Sequence, residues 1–173
     1  MRKRIVGIIF SAFLVMVLGN GAVAEDFNGP LASVKNISSP EPNRYGAGQP
    51  QNKLFEEFAK AGVKHVINLR PPSEIPGTNE AAIVTTAGMA YYNIPISSAG
   101  DLTRDNVLLI DRVLNQIGEE SVLVHCSSSN RVGAIMALRS AWVDGVSVDD
   151  AVKVGKRWGL TRLQPAVEEL LRK

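Results

Sequence analysis

The sequence predicts an α/β domain in three layers, with a mostly parallel central sheet flanked by helices. Three observations carry that expectation. Val63–Leu69 is a compact apolar run suited to a buried strand, and Ser121–His125 reads as another strand. The segments around them place apolar residues at helical spacing, and glycine or proline stands at most junctions. Strand and helix signals then alternate along the chain, as they do where helices form the crossovers of a parallel sheet.

Taken in order, the stretch up to Pro50 holds Pro30, Pro40, Pro42 and Pro50 and reads as coil, with short strands near Ala32–Ile37 and Arg44–Ala47. Asn52 to Ala61 reads as a helix with Leu54, Phe55, Phe58 and Ala59 on one side, stopped by Gly62. The strand Val63–Leu69 ends at Pro71-Pro72. A helix over Asn79–Ala87 stops at Gly88, and a strand crosses Met89–Ile96. Thr103 caps a longer helix whose Val107, Leu108, Val113, Leu114 and Ile117 recur at helical spacing up to Gly118. After Ser121–His125, the segment Arg131–Asp144 is apolar on most sides and is expected to be a central buried helix. Ser147-Val148-Asp149-Asp150 caps a helix running to Trp158 and ended by Gly159, and Thr161 starts the last one.

Residues 1–24 stand outside this pattern. Arg2, Lys3 and Arg4 precede an apolar run from Ile5 to Leu18, and Ala22-Val23-Ala24 supplies a small-x-small cleavage site, the layout of a secretory signal peptide. A membrane span needs about 20 apolar residues, and Gly19-Asn20-Gly21 interrupts this run first. The expected mature chain is therefore Glu25–Lys173, a single domain in the periplasm or secreted, with no membrane association once the leader is gone. No cysteine follows the cleavage site, so no lipid-anchored form is expected.

Removing the leader subtracts three basic and no acidic residues, which takes the formal net charge from +2 to −1. A near-neutral chain without a long basic run lacks the electrostatic footprint of a nucleic-acid binder. Two histidines far apart and one cysteine make no metal signature, and neither metal nor cofactor is expected. Nothing in the sequence specifies an oligomeric state.

The one cysteine carries the functional argument. An unpaired thiol in an exported protein is buried, reactive or bridged to another molecule. Here the strand Ser121–His125 delivers Cys126 to the carboxyl edge of the sheet, where ligands of such folds bind. Ser127, Ser128, Ser129 and Asn130 are short polar residues suited to a tight loop with inward backbone N–H groups, and a helix begins near Arg131. Such a nest, with the positive end of a helix dipole, binds anions and favours a thiolate. Arg131 adds a planar fork for two oxygens of a phosphate, sulfate or related group. Arg70 follows a buried strand and is expected at the same edge, as a second positive contact to substrate or in a salt bridge with Glu74 or Asp101. His125 and His65 read as structural, and Arg157 and Arg162 as solvated helix charges.

At these residues the chain resembles a family. "HCSSSNR" after a buried strand is similar to the His-Cys…Arg loop of cysteine-dependent tyrosine and dual-specificity phosphatases. With "GAGQP", "VINLRPPSE" and "YYNIPI" upstream, the chain most resembles the bacterial phosphatase-like domain related to beta-lactamase-hydrolase-like proteins, over roughly residues 44–167. The resemblance implies a phosphatase-like fold and a hydrolase of phosphomonoesters. Cys126 would be the nucleophile, Arg131 would hold the transferred group, and Asp101 in "SSAGDLT" would be the general acid, with Asp105 in reserve. As a turn residue before the Thr103 cap, Asp101 also has a purely structural reading.

Three departures leave other chemistry open. Four residues separate Cys126 from Arg131, whereas the phosphatase loop has five. Four is the spacing of rhodanese-like sulfurtransferases, whose cysteine carries sulfur as a persulfide. Ser129 stands where both loop types commonly have glycine, and Val132 replaces the hydroxyl residue that assists departure of the cysteine in phosphatases. The alternatives to a phosphatase are thus a sulfur-handling enzyme and an inactive anion-binding or redox-sensing module.

Overall fold

Two residue patterns build the sheet. β5 (Val122–His125) is buried at every position, and β3 (His65–Asn68) at all but its first, so both require cover on each face. In the computed structural model, which describes Phe27 and residues 29–173, they lie together at the middle of five strands. The order is β1 (Ser38–Glu41), β2 (Arg44–Ala47), β5, β3, β4 (Ala90–Asn93). All neighbours are parallel except β1 and β2, which form an antiparallel pair. The leader expected at 1–24 lies outside the described residues.

Alternation along the central strands sorts the helices into two layers. Val122, Val124 and Ile67 face a core shared with α3 (Arg104–Ile117), α4 (Asn130–Trp142), α5 (Val148–Arg157) and α6 (Gln164–Leu171). Leu123 and Val66 face the opposite core, filled by Leu54, Phe55 and Phe58 of α1 (Leu54–Lys60) and Val84 of α2 (Glu80–Thr86). This is the three-layer arrangement expected from the strand and helix alternation. Among the described residues, no helix is long and apolar enough to cross a membrane.

The first strand lies elsewhere than expected. Residues 32–37 do not form a strand: Gly29–Ser33 is a 3-10 turn in which the Ser33 hydroxyl donates to Pro30 O, and Asn36 takes a left-handed φ of 51°. β1 begins only at Ser38 and pairs with β2 through the turn at Asn43, where φ is 58°. The β4 signal across Met89–Ile96 shortens to four residues, because Ile94 and Ile96 donate to Asn68 O and Leu69 O as the chain leaves the sheet.

Register positions the functional edge. His125 is opposite Ala47 on one side and Asn68 on the other, and Asn68 is opposite Asn93. The carboxyl ends of β2, β5, β3 and β4 are therefore level, and the loops that follow them meet at one edge. Beneath that edge, α4 and α5 approach to backbone contact through Gly133 and Gly155. A Cβ built at Gly133 would stand 2.1 Å from Leu160 N and 2.6 Å from Gly155 O, so only glycine fits.

Candidate functional site

The loop between β5 and α4 is folded by its carbonyls. Ser127 O accepts from Gln49 N–H, Ser128 O from Asn36 Nδ2 and Ser129 O from Gly133 N–H. The loop leads directly into a 13-residue helix. The positive end of that helix's dipole lies at the loop and favours an anion there.

Ser129 adopts the left-handed conformation, with φ 64°, at the place where glycine would be free of strain. The strain costs about 1–2 kcal/mol for a residue with a Cβ. Its hydroxyl offsets part of this by donating to Trp158 O at 2.8 Å. Gly159 makes room for it, since a Cβ there would meet the Ser129 Cβ at 2.6 Å. Asn130 also turns its side chain inward: Oδ1 accepts from Thr161 N–H, Thr161 Oγ1 and Leu163 N–H.

Cys126 has no exposed surface, and the loop closes over it. Arg131 arches above. Its Nη1 donates to Glu74 Oε1 at 2.7 Å and to Ile96 O at 2.8 Å, while its Nη2 donates to Glu74 Oε2 at 2.7 Å and to Ser127 Oγ at 3.1 Å. A guanidinium carries five N–H groups; the clasp and Ile96 O fix the guanidinium while it also lies against Cys126, so an arriving anion competes with the Ser127 hydroxyl and the cysteine sulfur. Burial opposes the Arg131 charge, but hydrogen bonding to Glu74 and the nearby charge of Cys126 hold its pKa above the ordinary arginine value. The Arg131 hydrogen bond in turn holds the Glu74 carboxyl below the usual carboxylate range.

Glu74 is the first link of a polar chain that runs behind the loop. Arg70 donates through Nε to Glu74 Oε2, through Nη2 to Glu74 O and through Nη1 to Gln49 Oε1 at 2.5 Å. Gln49 Nε2 donates to Glu80 Oε2 at 2.6 Å, and Glu80 Oε1 accepts from Asn68 Nδ2 at 2.7 Å and meets His125 Nε2 at 3.0 Å. Glu80 and His125 side chains are both fully buried. Burial alone would raise the Glu80 pKa, yet hydrogen bonding and charge from His125 bring it below the usual value. The chain of bonds thus ties the residue before Cys126 to the guanidinium above it.

A cavity of about 500 Å³ opens over the loop, lined by Glu74, Ser97, Ser98, Ser127, Ser128, Asn130, Arg131, Arg162 and Leu163. Of the residues singled out in the sequence, it brings together Ser127, Ser128, Asn130 and Arg131, with Cys126 beneath. Ser129 is fully buried on the Trp158 side. Arg70 braces Glu74 instead of lining the cavity, the salt-bridge alternative of the sequence reading. Asp101 is not part of the lining but is bonded to it: its Oδ2 accepts from Ser97 N–H at 2.7 Å and Ser98 N–H at 3.0 Å, which clasps the loop carrying those serines. Asp105 sits in the first turn of α3. Among the described residues, no group of three His, Cys, Asp or Glu side chains is arranged to hold a metal.

Three side chains escaped the sequence reading in whole or part. Glu74 figured only as a partner for Arg70, although an acidic residue just after a buried strand is a signal that it serves the edge. Glu80, 1% exposed, was marked only by being acidic on a helix that packs into the core. Arg162 had no local signal at all.

Comparison with known proteins agrees with this geometry. Residues 47–143 match the model of the phosphatase-like domain of beta-lactamase hydrolase-like proteins, which is more than half of the chain. The chain belongs to that family. A beta-lactamase hydrolase-like protein of Xylella fastidiosa (strain Temecula1 / ATCC 700964) is 35% identical over 111 residues, covering 62% of this chain and 25% of the relative. One from Agrobacterium fabrum (strain C58 / ATCC 33970) is 30% identical over 117 residues, covering 65% and 27%. The chain thus spans about a quarter of the length of these relatives. Among solved structures, a candidate phosphatase (DUF442) from Shewanella putrefaciens CN-32 superposes with a TM-score of 0.65 and 25% identity, over 82% of this chain and 93% of that one. P. aeruginosa TpbA superposes with a TM-score of 0.66 and 20% identity, over 88% and 91%, and shares the fold. The phosphatase-like domain fold is therefore common to the chain and its structural neighbours.

Proposed function

We propose that this member of the phosphatase-like domain family is an exported, cysteine-dependent hydrolase of phosphomonoesters. The observation that carries the reading is the Arg131 guanidinium, braced by Glu74 and Ile96 O beside Cys126, at the N-terminus of the helix that follows the loop. That arrangement matches a trigonal phosphoryl group in transfer, whose equatorial oxygens need fixed positive partners. The Cys126 thiolate attacks phosphorus, the bond from phosphorus to the ester oxygen breaks, and the leaving oxygen takes a proton. Asp101 is the proposed proton donor through Oδ1, the oxygen not engaged by Ser97 and Ser98. Water then attacks the thiophosphate, releasing phosphate and restoring the thiolate.

Because Cys126 has no exposed surface, substrate reaches Sγ only as the Ser127–Asn130 loop shifts. The four-residue loop and its closure over the thiol favour a second reading, a rhodanese-like sulfurtransferase. There the thiolate takes the outer sulfur of thiosulfate, sulfite leaves, and cyanide collects the sulfur as thiocyanate. The test is to supply purified, reduced protein with p-nitrophenyl phosphate and, separately, with thiosulfate and cyanide, each beside Cys126→Ser. Cysteine-dependent phosphate release supports the first reading. Thiocyanate without phosphate release replaces it with the second, and turnover unchanged in Cys126→Ser removes both.

A further inference from the structure

The cavity over the loop holds one cation with no partner. Among the described residues, Arg162 makes no hydrogen bond or ion pair, and its side chain is exposed at the cavity wall. The acidic residue in that wall, Glu74, is already committed to Arg131 and Arg70. The root of Arg162 is not loose, however. Thr161 N–H before it and Leu163 N–H after it both donate to Asn130 Oδ1, at 2.8 and 3.3 Å. Asn130 is the residue immediately before Arg131, so one side chain fixes the position of the free cation relative to the anion cradle. An unpaired arginine is commonly left to solvent, but here the backbone on both sides is tied to the loop that binds the anion.

The cavity is within the size range of small-molecule sites, about 300–1,000 Å³, and larger than one phosphoryl group requires. We propose that Arg162 is a specificity residue that takes a second anionic group of a small substrate whose first phosphate lies on the Ser127–Arg131 loop. Preferred substrates then carry two phosphates, or a phosphate and a carboxylate, on one small molecule. The inference rests on the phosphate-binding role proposed for that loop.

The test separates the two claims by measuring binding without turnover. Cys126→Ser protein is titrated with orthophosphate and with pyrophosphate, alone and combined with Arg162→Ala or Arg162→Lys. The Arg162 contact is exposed, which limits a single ion pair to about a threefold to fivefold gain in affinity. Pyrophosphate should therefore bind about threefold to fivefold more tightly than orthophosphate. The ratio should fall to about one in Arg162→Ala, be largely kept in Arg162→Lys, and shrink as ionic strength rises. A ratio that Arg162→Ala leaves intact overturns the specificity role while the cradle stands. If neither ion binds, the phosphate-binding role of the loop falls and this inference with it.

Discussion

Replacing Glu74 with glutamine would test whether the clasp on Arg131 organises the site. The wild-type carboxylate accepts two bonds from Arg131 at 2.7 Å each and one from Arg70 at 3.2 Å. Glutamine keeps the shape but offers one acceptor, and its NH₂ turns two donors toward a guanidinium that has only donors. At least one charge-assisted bond is lost outright, worth about 1.5–3 kcal/mol, and the survivors become bonds to a neutral group. Glu74 retains 31% of its side-chain exposure, against 11% for Arg131, so water relieves part of the cost. The expected loss at pH 7 is about 2 kcal/mol, which in a domain of this size lowers the melting temperature by about 4–8 °C.

The sign with pH follows from the lowered Glu74 pKa. A carboxyl whose folded pKa is depressed contributes stability that is fully present above its unfolded pKa, about 4.3, and is lost as pH falls through the folded value. Melting temperatures of wild type and Glu74→Gln should therefore differ most at neutral pH and converge as the solution is taken below about pH 4. Equal melting temperatures at pH 7, or a gap that persists unchanged into acid, would refute the reasoning that an ionised Glu74 holds Arg131.

Three further outcomes follow from the same geometry. Asp101→Asn preserves an acceptor for Ser97 and Ser98 N–H but cannot donate a carboxylic proton, so kcat on an alkyl phosphate should drop about 10²–10⁴-fold while p-nitrophenyl phosphate is little affected; equal losses would dismiss Asp101 as the acid. Gly133→Ala forces a methyl group against Leu160 N and Gly155 O and should cost at least about 3 kcal/mol in urea unfolding, whereas a change below about 1 kcal/mol would contradict the backbone contact of α4 with α5. If the proposed export is right, intact-mass analysis of protein recovered from the periplasm should find a chain beginning at Glu25, and a full-length mass there would discard the proposed cleavage site.

The strand Val122–His125, the polar turn and the helix that follows it were legible in the sequence because each is a local pattern. Continuous apolar residues call for burial, short polar residues suit a loop, and residues near Arg131 repeat at helical spacing. Cys126 and Arg131 lie within that unit, so their meeting needed no long-range contact. The limits appear even locally: Ser129 stood out as replacing a common glycine, but only the tertiary structure showed its left-handed conformation and supplied the Trp158 carbonyl and the bare Gly159 surface that accommodate it. The strand expected at Ala32–Ile37 failed for a similar reason, since a left-handed turn at Asn36 and pairing partners farther along decided where β1 began.

What periodicity cannot encode is which polar side chains meet across the sheet edge. Glu74 reaches Arg131 across 57 positions of sequence, and Glu80 reaches His125 across 45. Such pairs depend on strand order, on level carboxyl ends and on side-chain rotation, all of which are settled by packing of both cores at once. The sequence by itself therefore determined the fold class, the family and the loop that carries Cys126 and Arg131. The tertiary structure alone decided that Arg131 is clasped by Glu74, that Arg70 is a brace, and that Arg162 is the cation left open, because charge pairing is set by the path of the folded chain and not by spacing along it.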